Sequence, residues 1–120
     1  MQRFGNLKFF TLATALVCAT SLSHAAVDAS VEDLVQSHAT DVYPVKLDAG
    51  SPVLVYLSGD GDTDLDLSLV DSRGGKVCQS QDDSDNELCV FVPEEEGTYR
   101  ILVINHGRMS NQYALLIMQD

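Results

Sequence analysis

Three aspartates at alternate positions, Asp60, Asp62 and Asp64, bring hard oxygen donors together in one short stretch of the chain. They belong to the turn-rich stretch Ser58-Gly59-Asp60-Gly61-Asp62-Thr63 and to the strand-like run that follows it. Calcium takes six to eight oxygen ligands, and a flexible acidic loop supplies them. The stretch is not an EF-hand. Leu65 stands where the glycine of the sharp turn belongs, and Asp71 where a bidentate glutamate belongs. Asp60, Asp62 and Asp64 are the candidate Ca2+ ligands, and a solvated acidic edge is the plainer reading of the same residues. Carboxylates this close repel one another unless a cation or a basic side chain intervenes. A further acidic cluster, Asp82, Asp83, Asp85 and Glu87, reads as a charged hairpin tip that blocks edge-to-edge pairing.

Catalytic constellations are missing from the sequence. A serine hydrolase needs a nucleophile held by a base, and beyond the first 25 residues the only histidines are His38 and His106. There is no Gly-x-Ser-x-Gly elbow and no His-Glu-x-x-His pair for zinc. Acid–base work by paired carboxylates needs one of them in an apolar pocket, whereas the acids here read as turn or outward strand positions. His106, before Gly107 in a turn, reads as a surface residue. The expectation is therefore no enzyme.

The elements that position these residues are strands. From Tyr43 onward the hydropathy alternates with period two. Tyr43, Val45 and Leu47 face one way, then Val53 to Leu57 is apolar on both faces, as in a central strand. Leu65, Leu67 and Leu69 oppose Asp64, Asp66 and Ser68. Asp71-Ser72-Arg73-Gly74-Gly75 is a hairpin turn. Strand-like runs follow around Cys78, around Cys89, from Thr98 to Ile104 and around Tyr113, Leu115 and Ile117. Pro44 lacks a backbone N–H, which places the first of these strands at a sheet edge. About seven to eight short antiparallel strands, with turn signals between them, predict an all-β sandwich of jelly-roll or Greek-key type. Residues 26–40 form an N-terminal arm that reads as a flexible segment, a short helix from Ser30 or an edge strand.

Residues 1–25 read as a signal peptide. Arg3 and Lys8 are its positive region, Phe9 to Leu22 its apolar run, and Ser23-His24-Ala25 its cleavage pattern, with the cut before Ala26. The run is about 14 residues, short for a span of about 30 Å of hydrocarbon, so a retained membrane anchor is the lesser alternative. A lipoprotein anchor at Cys18 conflicts with Val17, where a small residue is expected. The expected location is the periplasm or the extracellular medium. Of 7 Lys/Arg, removing Arg3 and Lys8 leaves 5 against 18 Asp/Glu, a balance of −13. That charge repels nucleic acid and anionic membranes, and suits solubility or a basic partner.

Cys18 leaves with the leader, so Cys78 and Cys89 remain, an even pair in an exported domain. Both lie in strand-like runs around a polar turn. The expected arrangement is a disulfide hairpin with Val77 opposite Val90 facing the core and the sulfurs on the other face. A redox or metal-binding thiol pair would need Cys-x-x-Cys spacing or a nearby histidine, and neither is present.

Taken in order, these residues resemble the bacterial pre-peptidase C-terminal domain family. Asp41-Val42-Tyr43 opens a strand that Leu47-Asp48-Ala49-Gly50 closes. Asp64-Leu65-Asp66-Leu67 and the turn Asp71-Ser72-Arg73-Gly74-Gly75 follow, then Gly97-Thr98-Tyr99-Arg100-Ile101-Leu102-Val103 and Tyr113-Ala114-Leu115. The likeness covers roughly residues 41–118, so residues 41–120 are read as the domain. It implies a non-catalytic β-sandwich of the kind appended to secreted peptidases, some of which bind insoluble polymer and some calcium. By analogy with calcium-binding relatives, Glu32, Asp33 and Asp41 are a second candidate metal set. No peptidase domain accompanies the domain here. The implied function is an exported binding or accessory module with a protein or extracellular polymer partner. A protease-associated chaperone or inhibitor encoded apart from its enzyme is the alternative.

Overall fold

The computed structural model describes residues 5–10, 27–61, 64–81 and 84–119. Asp62, Asp82, Asp83 and the expected cleavage point before Ala26 lie outside them. Among the described residues there are nine strands and no helix: β1 (Asn6–Leu7), β2 (Val27–Val35), β3 (Thr40–Leu47), β4 (Val53–Gly59), β5 (Leu65–Val70), β6 (Lys76–Ser80), β7 (Asn86–Phe91), β8 (Gly97–Asn105) and β9 (Asn111–Gln119). They form two sheets, β1-β3-β8-β5-β6 and β2-β9-β4-β7, packed as a β-sandwich. Every pairing is antiparallel except β1 with β3.

The seven strands expected from Tyr43 onward are β3 to β9. The count rises because β2 and β1 add to them. β2 is one of the three forms open for residues 26–40. It forms because β9 would otherwise present a bare nine-residue edge, and β2 pairs along all of it, from Val27↔Gln119 to Val35↔Asn111. Within β2, Ala29 and Val35 are buried at alternate positions.

Period-two alternation is borne out in the core. Tyr43, Leu47, Val53, Val55, Leu57, Leu65, Leu67, Leu69, Ile101, Val103, Leu115 and Ile117 are almost wholly buried between the sheets. Each such aliphatic side chain stabilises the fold by about 1.5–3 kcal/mol. The buried apolar core begins at Ala29. Of residues 5–10, Phe10 packs partly buried against that core. Pro44 sits where β3 is an edge, since β1 covers only Asp41 and Val42.

The cysteine hairpin is corrected. Cys78 and Cys89 are bonded, with Cα atoms 6.0 Å apart. Yet β6 pairs with β5 and β7 pairs with β4, so the bond joins the two sheets. Sulfurs meeting across the interior must point inward. Cys89 is buried, while Val77 and Val90 are exposed, the reverse of the expected orientation.

The acidic tip is corrected for the same reason. Asp85 and Glu87 are in phase with Cys89 and are buried. Ser80 donates to Glu87 Oε2 at 2.6 Å from the opposite sheet. The interior thus takes up carboxylates that the local pattern assigned to water.

Candidate functional site

Period-two alternation in β3 puts Asp41 on the same face as Tyr43, Val45 and Leu47, so its carboxylate enters the end of the sandwich, fully buried. In β2, Asp33 faces inward between Val31 and Val35. Tyr113 does the same in β9, in phase with Leu115 and Ile117. Three strands from both sheets therefore bring two carboxylates and a phenol to one cleft. Glu32, one residue out of phase, is exposed on the other face. Of the second candidate metal set, the structure brings Asp33 and Asp41 together and sends Glu32 away.

A lysine occupies this cleft. Lys8 Nζ lies 2.9 Å from Asp33 Oδ2 and 3.2 Å from Asp41 Oδ2, and donates to Leu34 O at 3.3 Å. Tyr113 donates its hydroxyl to Asp41 Oδ2 at 2.7 Å. With that proton committed, the hydroxyl of Tyr43, 2.5 Å away, is the donor to Tyr113. The second oxygen of Asp41, Oδ1, is buried without a hydrogen-bond partner among the described residues.

Electrostatics follow from the geometry. The hydrogen bond from Lys8 holds the Asp33 carboxyl below its ordinary range, against the opposing effect of burial. Burial alone would lower the Lys8 ammonium pKa, but the hydrogen bonds and charges of Asp33 and Asp41 outweigh it and the net shift is upward. Burial pushes the Tyr113 hydroxyl well above the usual phenol range, reinforced by the hydrogen bond it donates to Asp41 and by that carboxylate's charge. Burial also raises Tyr43.

The lysine arrives on an added strand. Residues 6–7 pair in parallel with β3, Asn6↔Asp41 and Leu7↔Val42, and Lys8 N donates to Val42 O at 2.8 Å. Extended geometry turns Lys8 and Phe10 toward the sandwich while Leu7 and Phe9 are exposed. The Phe10 ring rests on Tyr43, centroids 5.0 Å apart. A Cβ on Gly5 would run into the backbone oxygen of Thr40, so only glycine fits that approach. Sequence reading assigned Lys8 to a targeting signal and had no means of placing it here.

Of the acidic loop expected to hold Asp60, Asp62 and Asp64, the structure describes Asp60 and Asp64. The centre of the loop is Asp85, arriving from just before β7. Asp85 accepts from Gly61 N at 2.8 Å, Leu65 N at 3.3 Å and Asn111 Nδ2 at 2.8 Å. Asp60 N donates to Asn111 Oδ1, and Asp60 Oδ2 accepts from Gln112 N. Asp64 precedes β5 and is exposed; Asp66, expected in water beside it, is 7% exposed and hydrogen-bonded to His106 Nε2 at 2.8 Å. Among the described residues no three His, Cys, Asp or Glu side chains gather as a metal set. The cleft itself turns three oxygens on one cation, from Asp33, Asp41 and Leu34, against the six to eight that calcium prefers.

Residues 39–105 match the family described as bacterial pre-peptidase C-terminal domain. Among solved structures the fold is shared with the pre-peptidase C-terminal domain of a collagenase from Bacillus anthracis, at 12% identity and TM-score 0.67, covering 98% of this chain and 97% of that one. It is also shared with Aeromonas hydrophila PliG, a periplasmic inhibitor of g-type lysozyme, at 11% identity and TM-score 0.64, covering 98% and 100%. A mitogen from Yersinia pseudotuberculosis follows at 14% identity and TM-score 0.63, covering 75% and 83%. No curated protein matches in sequence.

Proposed function

Because the chain belongs to the bacterial pre-peptidase C-terminal domain family, we propose that it is an exported, non-catalytic binding module, cut before Ala26, that docks a basic protein or polymer through the acidic end of its sandwich. The observation that carries this is the convergence of Asp33 and Asp41 on one cation, with Asp41 fully buried. A buried carboxylate needs a counter-charge beside it, and this one has Lys8 at 3.2 Å. A balance of −13 beyond the leader adds long-range attraction for cationic partners.

A second reading, a chaperone or inhibitor of a separately encoded hydrolase, is favoured by the same acidic cleft, and it is consistent with the architecture shared with the lysozyme inhibitor PliG. Fractionation tests export: the protein should appear outside the cytoplasm with Ala26 at its amino terminus, and cytoplasmic protein that starts at Met1 overturns it. Affinity capture beside an Asp33→Asn/Asp41→Asn twin tests binding. Partners should be retained by the wild type and lost by the twin; a protease or other hydrolase among them, inhibited on addition of the module, selects the second reading.

A further inference from the structure

The segment in the cleft shows what the cleft accepts. Residues 5–10 add a short parallel strand to β3, seat an ammonium on Asp33 and Asp41, and lay an aromatic ring on Tyr43. Main-chain bonds supply affinity in such strand addition, and alternate side chains supply selection. On the reading that the module is exported and cut before Ala26, this occupant leaves. Asp41 then keeps Tyr113 as its donor but loses its cation, and its Oδ1 is already without a partner. A buried carboxylate without its counter-charge is unfavourable, so the emptied cleft favours another cation. The edge of β3 opens at the same time, because β1 is its only neighbour on that side among the described residues.

We infer that the β3 edge beside Asp33 and Asp41 is a receptor for an extended segment of a partner protein carrying a lysine or arginine and, two positions on, an aromatic residue. The spacing is that of Lys8 and Phe10, both turned inward. The leader is then a stand-in that fills the cleft until export and cleavage clear it.

The probe is the capped peptide Gly-Asn-Leu-Lys-Phe-Phe, the sequence of residues 5–10, titrated calorimetrically into the chain from Ala26 onward. Saturable binding is expected, weakened about tenfold or more when the peptide lysine becomes glutamate, and several-fold when its last phenylalanine becomes alanine. Asp41→Asn in the protein should weaken binding about tenfold. Since Asp41 is buried, the more exposed Asp33→Asn is run alongside, with far-ultraviolet spectra showing that both stay folded. Equal affinity for the lysine and glutamate peptides, or no binding of either, overturns the proposal. Loss of peptide binding in millimolar calcium, restored by chelator, assigns the cleft to a metal and overturns it as well. The mass of the exported protein tests the export reading alone, so the two can fail separately.

Discussion

Cys78 and Cys89 are bonded across the interior of the sandwich, from β6 of one sheet to β7 of the other, at edges that share no strand pairing. The bond holds shut the side of the fold where, among the described residues, β6 and β7 are the last strands of their sheets.

Reduction, or Cys78→Ala with Cys89→Ala, should therefore open that side first. Removing a native disulfide from a small exported domain costs about 2–5 kcal/mol. At about 4–8 °C per kcal/mol for a domain of this size, melting should fall by roughly 10–40 °C. Calorimetry with and without reductant checks it, and hydrogen exchange should show β6 and β7 losing protection ahead of β8 and β9.

Asp85 should matter more than any exposed aspartate. Asp85→Ala leaves Gly61 N, Leu65 N and Asn111 Nδ2 without their acceptor. Buried donors left unsatisfied cost about 1–3 kcal/mol each, partly recovered by water, so a loss of roughly 2–4 kcal/mol is expected in urea unfolding. Asp64→Ala, on an exposed side chain, should change stability by less than about 0.5 kcal/mol.

Tyr113→Phe removes the donor to a buried carboxylate and should cost about 1.5–3 kcal/mol. Tyr43→Phe removes a hydroxyl–hydroxyl bond and should cost about 0.5–1.5 kcal/mol. An alkaline ultraviolet titration should show two of the four tyrosines, Tyr43 and Tyr113, ionising above the ordinary phenol range. Four tyrosines ionising together near pH 10 would contradict the relay.

The lysine contact has a definite pH window. Asp33 is depressed in the folded full chain, so its contribution is present above the ordinary value of 3.8 and is lost as pH falls through the lowered one. Lys8 is raised, so its contribution is present below 10.5 and is lost as pH rises through the higher value. Between those limits Lys8 should resist acylation in the full chain. Asp33→Asn/Asp41→Asn should make it react as fast as Lys46 and Lys76, as read by peptide mass.

Calcium at Asp60, Asp62 and Asp64 remains a separate proposal with a direct test. A binding ligand raises melting by mass action. A rise of several degrees in millimolar calcium, abolished by Asp62→Asn, supports the site. Unchanged melting removes it.

Alternation of side chains along an extended backbone is a local property, and it made the strands from Tyr43 onward, their inward aliphatic faces and the Gly74 turn legible. At that turn Asp71 Oδ1 accepts from Arg73 and Gly75, and Gly74 takes φ +84. The same alternation put Asp41 in phase with Tyr43 and Leu47, and Asp85 and Glu87 in phase with Cys89, yet charge argued for water. Whether an inward carboxylate is tolerable depends on what meets it: Tyr113 is 72 residues from Asp41, and Asn111 is 26 from Asp85. Pairing two strand-like runs as a hairpin was the natural local choice for Cys78 and Cys89, and only sheet order showed that each joins a different layer. Sequence by itself determined the period, the turns and the cysteine pair, because these depend on neighbours in the chain. The cleft, the buried acids and the staple between sheets were decided by tertiary structure, because the partners that make them affordable arrive from distant strands.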